Sequence, residues 1–133
     1  RSALENIIPA STGAASAIGK VLPNLNGKLK GSAFRVPTID GSVVDLTVKL
    51  GKFVTKEEIN EMFKNNQSDV IKFTMDPIVS SDVIGTHAGS LVDGLLTDVL
   101  ECDGEELVKV VAWYDNELGY TCQMIRTLGE LLK

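Results

Sequence analysis

The feature that most constrains the fold is a two-residue turn signal, Asp103-Gly104, set between two apolar segments. Residues 95–100 precede the turn and residues 107–114 follow it. An Asp-Gly pair in this setting is typical of a tight β-hairpin, so the two segments are predicted to be neighbouring antiparallel strands. The second segment is apolar almost throughout, interrupted only by Lys109, which predicts a central strand buried on both faces.

Alternation of apolar and polar residues predicts two further strands, at residues 44–50 and 71–75. A shorter strand at residues 33–36 is expected to pair with the first of these. The segment 78–94 lacks a regular pattern and reads as loop or short edge strands.

Apolar residues at helical spacing predict three helices. The first opens at Ser11-Thr12-Gly13 and stops at Pro23, because proline cannot continue a helix. The second begins with a capping box formed by Thr55 and Glu58. The third is C-terminal and carries a broad apolar stripe made of Leu118, Met124, Ile125, Leu128, Leu131 and Leu132.

These elements predict an α+β fold, with a mainly antiparallel or mixed sheet and helices packed on it. The length of 133 residues fits one domain. No glycine-rich dinucleotide fingerprint follows a strand, so no Rossmann domain is expected in residues 1–133.

The composition of the chain argues against two classes of protein. A net charge of −5 argues against a nucleic-acid binder, and no apolar stretch approaches the roughly 20 residues that a membrane span needs. No signal peptide is expected. The two cysteines stand apart from any metal-ligand spacing, which indicates a reducing compartment, and the expected location is cytoplasmic. Because the first residue is Arg1 and not methionine, the chain is interpreted as a processed, proteolysed or truncated piece.

Two positions could bind an anion. Thr12 and Gly13 open the first helix, where unpaired amides and the helix dipole attract negative charge. The alternative is an ordinary helix cap. Arg35 could bind a phosphate through two parallel hydrogen bonds, and the alternative is a solvated or ion-paired side chain.

The segment 113–117, Trp-Tyr-Asp-Asn-Glu, lies at a predicted strand-to-helix junction, where ligand sites often form. The alternative is that Asp115 or Asn116 caps the helix. His87, Cys102 and Cys122 have no activating neighbours in the sequence, so no catalytic or metal-binding residue is assigned.

Several blocks of the sequence resemble the glyceraldehyde-3-phosphate dehydrogenase family, in the order in which that family carries them. They are residues 6–15 (Asn-Ile-Ile-Pro-Ala-Ser-Thr-Gly-Ala-Ala), 26–29, 34–38, 42–46, 77–82 and 110–117, followed by Gly119-Tyr120. The resemblance implies that residues 1–133 are the C-terminal part of the catalytic domain of a two-domain dehydrogenase.

The resemblance also implies roles for individual residues. Thr12 and Gly13 match positions that bind inorganic phosphate or the substrate phosphate, and Arg35 matches the arginine shared by both anion sites. Asn116 matches the residue that binds the nicotinamide carboxamide of NAD, and Tyr120 the aromatic residue behind that ring. The nucleophilic cysteine and its histidine precede this segment in the family, so the chain alone is expected to be inactive.

The implied parent is a cytoplasmic, homotetrameric enzyme of glycolysis that uses glyceraldehyde 3-phosphate, inorganic phosphate and NAD. The choice between NAD and NADP stays open, because the residue that reads the ribose would belong to the nucleotide-binding domain. Two other readings also stay open: an erythrose-4-phosphate dehydrogenase and a non-catalytic, self-associating module. The C-terminal helix is expected to dock on the nucleotide-binding domain, unless its stripe packs on this chain's own sheet.

Overall fold

A computed structural model describes all residues from Arg1 to Lys133. Their contacts divide the chain into two compact units, Arg1–Ile39 and Asp40–Lys133, called here the first and the second unit.

The first unit is a two-stranded antiparallel ribbon with a helix in its connection. Strand β1 (Ile8–Ser11) pairs with β2 (Ser32–Arg35), and helix α1 (Ala14–Val21) follows β1 directly. Short 3-10 turns lie at Ala3–Glu5 and at Pro23–Leu25. The helix stops before Pro23, as predicted.

The pairing of β2 corrects a sequence-based prediction. The strand expected at residues 33–36 exists, but it pairs with β1 and not with the strand at 44–50. Strand β1 has only four residues and contains Pro9, which lacks the amide proton of a regular strand residue. Its pattern was therefore too short and too irregular to predict from the sequence.

The second unit contains a four-stranded mixed sheet and two helices. The strands are β3 (Ser42–Val48), β4 (Ile71–Thr74), β5 (Ser90–Cys102) and β6 (Glu105–Tyr114), and they lie in the order β3-β6-β5-β4. Only β4 and β5 run parallel. Helix α2 (Lys56–Asn65) joins β3 to β4, and α3 (Leu118–Leu131) ends the chain. This architecture confirms the predicted α+β class with a mixed sheet.

The hairpin between β5 and β6 forms at the predicted turn. Asp103 and Gly104 have φ values of 52° and 75°, the pair of positive angles that a two-residue turn of this handedness requires. Cys102 and Glu105 face each other as the first pair of the ladder. The Asp-Gly signal therefore set both the turn and the strand register.

Strand β6 is central, as predicted, but it is not buried on both faces. Val108 is only 1% exposed, whereas Leu107 on the opposite face is 45% exposed. Leu100, the partner of Leu107 across the ladder, is 60% exposed. Within this chain, the part of the sheet face that carries Leu100 and Leu107 is uncovered. The apolar sequence of β6 therefore did not mean that both faces of the strand are buried.

Strand β5 begins earlier than predicted because its pattern is broken by a bulge. The register with β6 shifts between Asp93 and Asp98. The Asp93 carboxylate accepts hydrogen bonds from the amides of Leu95 and Leu96, at 3.1 and 3.3 Å, which turns the backbone out of regular alternation. The part of β5 before the bulge consequently read as loop.

Helix α3 keeps most of its apolar stripe exposed. Gln123 and Arg126 donate hydrogen bonds to the carbonyl of His87, at 3.2 and 3.1 Å, and anchor one side of the helix. Ile125 and Leu131, on the stripe, are 61% and 79% exposed. The stripe therefore does not pack on this chain's own sheet. No helix has the combination of length and apolar character needed to cross a membrane.

The capping box of α2 gives a test of the local structure. The Thr55 hydroxyl accepts from the Glu58 amide at 3.1 Å, and the Glu58 carboxylate accepts from the Thr55 amide at 2.8 Å. Thr55→Ala should lower the free energy of unfolding by about 1 kcal/mol, because one amide loses its partner. Thr55→Ser keeps the hydroxyl and is the matched control. Equal stability of the alanine and serine variants in denaturant unfolding would contradict the cap.

Candidate functional site

The first group of candidate residues surrounds the start of helix α1. Gly13 is the N-cap residue, and its carbonyl accepts from the Ala17 amide at 2.9 Å. The Thr12 hydroxyl accepts from the Ala14 amide at 3.2 Å. Apart from its chain neighbours and the backbone of its own helix, no atom lies within 4 Å of the position that a Cβ at Gly13 would occupy, so the space beside Gly13 is open. The Thr12 hydroxyl thus holds the backbone that leads into the helix, and its hydrogen is still available to an anion.

Arg35 lies on the same ribbon as Thr12. It pairs with Ile8, and Ala10 pairs with Ala33 two residues along the ladder. Directly paired residues share a face and alternate residues return to it, so Arg35, Ala10 and Ala33 lie on one face. Thr12, the residue after β1, continues the alternation, since its Cγ2 lies 3.7 Å from the Cβ position of Gly31, the residue before β2.

The spacing along this face matters for what could bind there. Four residues at the rise of a strand separate Thr12 from the row of Arg35 by about 13 Å. The row between them holds only alanine side chains, Ala10 and Ala33. Arg35 is exposed and takes part in none of the salt bridges. A long cationic side chain at one end and a helix start at the other thus border a shelf whose middle row is the two half-buried alanines.

The second group of candidate residues lies at the junction of β6 and α3, in the second unit. Asp115 is 3% exposed, and its carboxylate accepts from three backbone amides. Those donors are Gly85 at 2.8 Å, Glu117 at 2.9 Å and Leu118 at 2.6 Å. The hydrogen bond from Gly85 is the largest influence on Asp115 and lowers the pKa of its carboxyl below the usual value, against the opposing effect of desolvation. Asp115 therefore binds the amides that lead into α3, whose N-cap residue is Glu117.

Asn116 projects into solvent beside these hydrogen bonds. Its Oδ1 accepts from the Ser42 hydroxyl at 2.5 Å, and its backbone amide donates to Asp40 Oδ1 at 3.3 Å. The same Asp40 oxygen accepts from the Gly41 amide at 2.6 Å. The Nδ2 group of Asn116 makes no hydrogen bond within the chain and is available to a ligand. Tyr120, in the first turn of α3, is likewise exposed.

Three carboxylates surround this junction. Oxygen atoms of Asp40, Asp115 and Glu117 lie within 4.8 Å of one another. The negative charge of Asp40, more than desolvation or Asp115, raises the pKa of Glu117 above its usual value. The cluster joins residues far apart in sequence, so no spacing pattern could have predicted it.

The remaining chemical side chains lie elsewhere in the second unit. His87 lies in the loop that anchors α3, where its carbonyl accepts the two hydrogen bonds described above. Cys102 ends β5 at the hairpin and is exposed, and Cys122 lies within α3. Two residues that the sequence did not single out, Asp40 and Ser42, contact Asn116 directly. The only local signal for them was the Asp40-Gly41 turn pair.

Residues 1–116 match the family model described as glyceraldehyde 3-phosphate dehydrogenase, C-terminal domain. The chain belongs to this family. The glyceraldehyde-3-phosphate dehydrogenase of Streptococcus pyogenes is 56% identical over 133 residues, which is 100% of this chain and 40% of that protein. The enzyme of the same name from Streptococcus dysgalactiae subsp. equisimilis is 55% identical with the same coverage. The chain thus spans 40% of the length of these relatives, and the family resemblance of the sequence is confirmed.

The pKa shifts at the junction predict how stability depends on pH. The carboxyl of Asp115 has its pKa lowered from 3.8 in the folded protein, so its contribution is present above that pH and is lost as pH falls through the folded value. Asp115→Asn should therefore be less stable than wild type at neutral pH. The difference should shrink as pH falls below about 4.

Glu117→Gln is the matched control for that experiment. The pKa of Glu117 is raised, so its charged form is disfavoured in the folded protein and removing the charge relieves repulsion at neutral pH. Thermal unfolding should show a shift opposite in sign to that of Asp115→Asn. A loss of stability from Asp115→Asn that is constant from neutral to acidic pH would contradict the assigned carboxylate role.

Proposed function

We propose that this chain supplies the phosphate-binding and nicotinamide-contacting residues of an NAD-dependent, phosphorylating glyceraldehyde-3-phosphate dehydrogenase of glycolysis. Family membership and the name shared by the relatives support this assignment. The observation that carries it is the shelf of the first unit, where exposed Arg35 and the start of α1 border a row of small alanine side chains. The substrates are glyceraldehyde 3-phosphate and inorganic phosphate.

Thr12, Gly13 and Arg35 are the proposed phosphate ligands. The amides at the helix start and the Thr12 hydroxyl donate hydrogen bonds, and glycine lets a phosphate oxygen approach the backbone closely. From the other end, the Arg35 guanidinium offers two parallel donors that match two phosphate oxygens. The alanines between them leave room for the tetrahedral anion. These donors hold phosphate without giving it a proton, so it keeps its nucleophilic oxygen.

The proposed reaction needs such a site for a physical reason. A thiolate from outside residues 1–133 attacks the aldehyde, NAD held by Asn116 and Tyr120 would accept the hydride, and inorganic phosphate then expels the thiolate and carries the acyl group away as 1,3-bisphosphoglycerate. Two multiply charged phosphates must approach one reaction centre, and cationic and dipolar groups offset their repulsion. The thiolate and its partner histidine belong to the part of the enzyme outside residues 1–133, so this chain contributes no catalytic residue of its own.

Asn116 and Tyr120 are the proposed cofactor contacts. Asn116 presents a free amide nitrogen, which can donate a hydrogen bond to the carboxamide of nicotinamide. Tyr120 presents an exposed ring that can pack behind it. The cofactor is NAD in this proposal, and NADP is the alternative that the nucleotide-binding domain would decide.

The exposed stripe of α3 supports a docking role for that helix. Ile125, Leu128 and Leu131 are more than half exposed, and burying each such side chain contributes about 1.5–3 kcal/mol. The proposed partner is the nucleotide-binding domain of the same enzyme, within a homotetramer in the cytoplasm.

The same exposed stripe also favours a second candidate, a non-catalytic self-associating module. The other dehydrogenase alternative is an erythrose-4-phosphate dehydrogenase. Assays of the complete enzyme with glyceraldehyde 3-phosphate and with erythrose 4-phosphate distinguish it from the proposed activity.

Arg35 provides the direct test of the phosphate site in the complete dehydrogenase. Arg35→Ala should lower kcat/KM for inorganic phosphate by about 10- to 100-fold, because charge-assisted hydrogen bonds are lost. Arg35→Lys should recover only part of the loss, since an ammonium lacks the two-pronged geometry. Lys20→Ala removes an equal charge from the last turn of α1 and is the control. Unchanged phosphate kinetics in Arg35→Ala would refute the assignment.

A second test concerns the 133-residue polypeptide alone. It should form no NADH from glyceraldehyde 3-phosphate, because neither its cysteines nor His87 match the catalytic positions of the family. The complete dehydrogenase, assayed in parallel, is the positive control. NADH formation by a sample whose intact mass shows no longer chain would contradict the proposed division of roles, whereas soluble oligomers without activity would favour the self-associating module.

A further inference from the structure

We propose that Ser42 is a positioning residue for the nicotinamide: its hydroxyl holds the Asn116 amide so that Nδ2 faces the cofactor. The inference rests on the proposed function, in which Asn116 contacts the carboxamide. Ser42 itself touches neither cofactor nor substrate in this proposal. It acts through Asn116, whose Oδ1 accepts its hydroxyl at 2.5 Å.

The orientation of the Asn116 amide depends on its hydrogen-bond partners. The oxygen and nitrogen of a side-chain amide have almost the same shape, and only their hydrogen-bond partners decide which one points where. Asn116 is exposed, so packing does not make that decision. A hydroxyl can donate or accept, and in this structure the Ser42 hydroxyl donates to Oδ1, which leaves Nδ2 as the outward group. A donor in that position recognises a carbonyl, which is the acceptor of the carboxamide.

Ser42 is held in place by the backbone on both sides. Gly41 has φ +89°, and a Cβ there would collide with the Ser80 carbonyl oxygen, so the close approach of these segments requires glycine. On the other side, Ser42 pairs with Tyr114 at the end of the β3–β6 ladder, two residues before Asn116.

A second contact ties the same two segments together. One oxygen of Asp40 accepts from the amides of both Gly41 and Asn116, at 2.6 and 3.3 Å. The backbones that carry the serine and the asparagine are therefore linked independently of the Ser42 hydroxyl. Removing that hydroxyl should free the amide to rotate without displacing the backbone, so the effect should be confined to the cofactor.

The test is made in the complete dehydrogenase with Ser42→Ala. Immobilising one side chain accounts for about a three- to tenfold change in affinity, so KM for NAD should rise by that factor. KM for inorganic phosphate should stay within twofold of wild type. Ser42→Thr keeps the hydroxyl and should restore the affinity for NAD. Ser80→Ala is the matched control, because that nearby hydroxyl makes no hydrogen bond.

An NAD analogue with an acetyl group in place of the carboxamide tests the orientation of the amide. This 3-acetylpyridine dinucleotide keeps the carbonyl and lacks the amino group. If Nδ2 of Asn116 reads the carbonyl, Ser42→Ala should raise KM for the analogue by the same factor as for NAD. Disappearance of the effect with the analogue would overturn the inference, since Oδ1 would then face the cofactor.

Asn116→Ala separates this inference from the proposed function. A raised KM for NAD in Asn116→Ala, with no change in Ser42→Ala, would overturn the role of Ser42 and leave the cofactor contact standing. An unchanged KM for NAD in Asn116→Ala would instead refute the proposed cofactor contact. Equal losses for NAD and phosphate in Ser42→Ala, not restored by threonine, would show a structural role only and overturn the inference.

Discussion

The buried carboxylate of Asp115 is the interaction on which the second unit's candidate site depends. It accepts hydrogen bonds from the amide of Gly85 and from those of Glu117 and Leu118. One side chain thus links the end of β6, a distant loop and the start of α3. Each of these amides would otherwise lack a partner at a helix start or turn. Because Asn116 directly follows Asp115 in the chain, the position of the proposed cofactor contact depends on these hydrogen bonds.

Sequence patterns predicted the local features because their causes are local. The hairpin at Asp103-Gly104 depends on two residues that accept positive φ, and the cap of α2 depends on Thr55 and Glu58 alone. The same patterns could not predict which segments pair across the chain. The strand at residues 33–36 was found, but its partner was wrong, since pairing is decided by tertiary contacts that a four-residue strand does not encode.

For the candidate site, too, long-range contacts could not be predicted from the sequence. The family resemblance assigned roles to five residues, Thr12, Gly13, Arg35, Asn116 and Tyr120. The structure adds the contacts that hold them. The contact of Ser42 with Asn116 spans 74 residues, and no spacing rule predicts a contact of that range. Burial was also overpredicted for β6, because an apolar sequence does not reveal what covers each face. Leu107 and the α3 stripe are exposed apolar surfaces, and the proposed partner of the stripe is the nucleotide-binding domain.

The central claim is that the shelf between the start of α1 and Arg35 binds phosphate. The most direct measurement is a crystal structure of the complete dehydrogenase with inorganic phosphate bound. The account predicts an anion on the face of Ala10 and Ala33, with the Thr12 hydroxyl and the Gly13 amide on one side and the Arg35 guanidinium on the other. Phosphate bound at another place, with Arg35 turned into solvent and the start of α1 unoccupied, would contradict it.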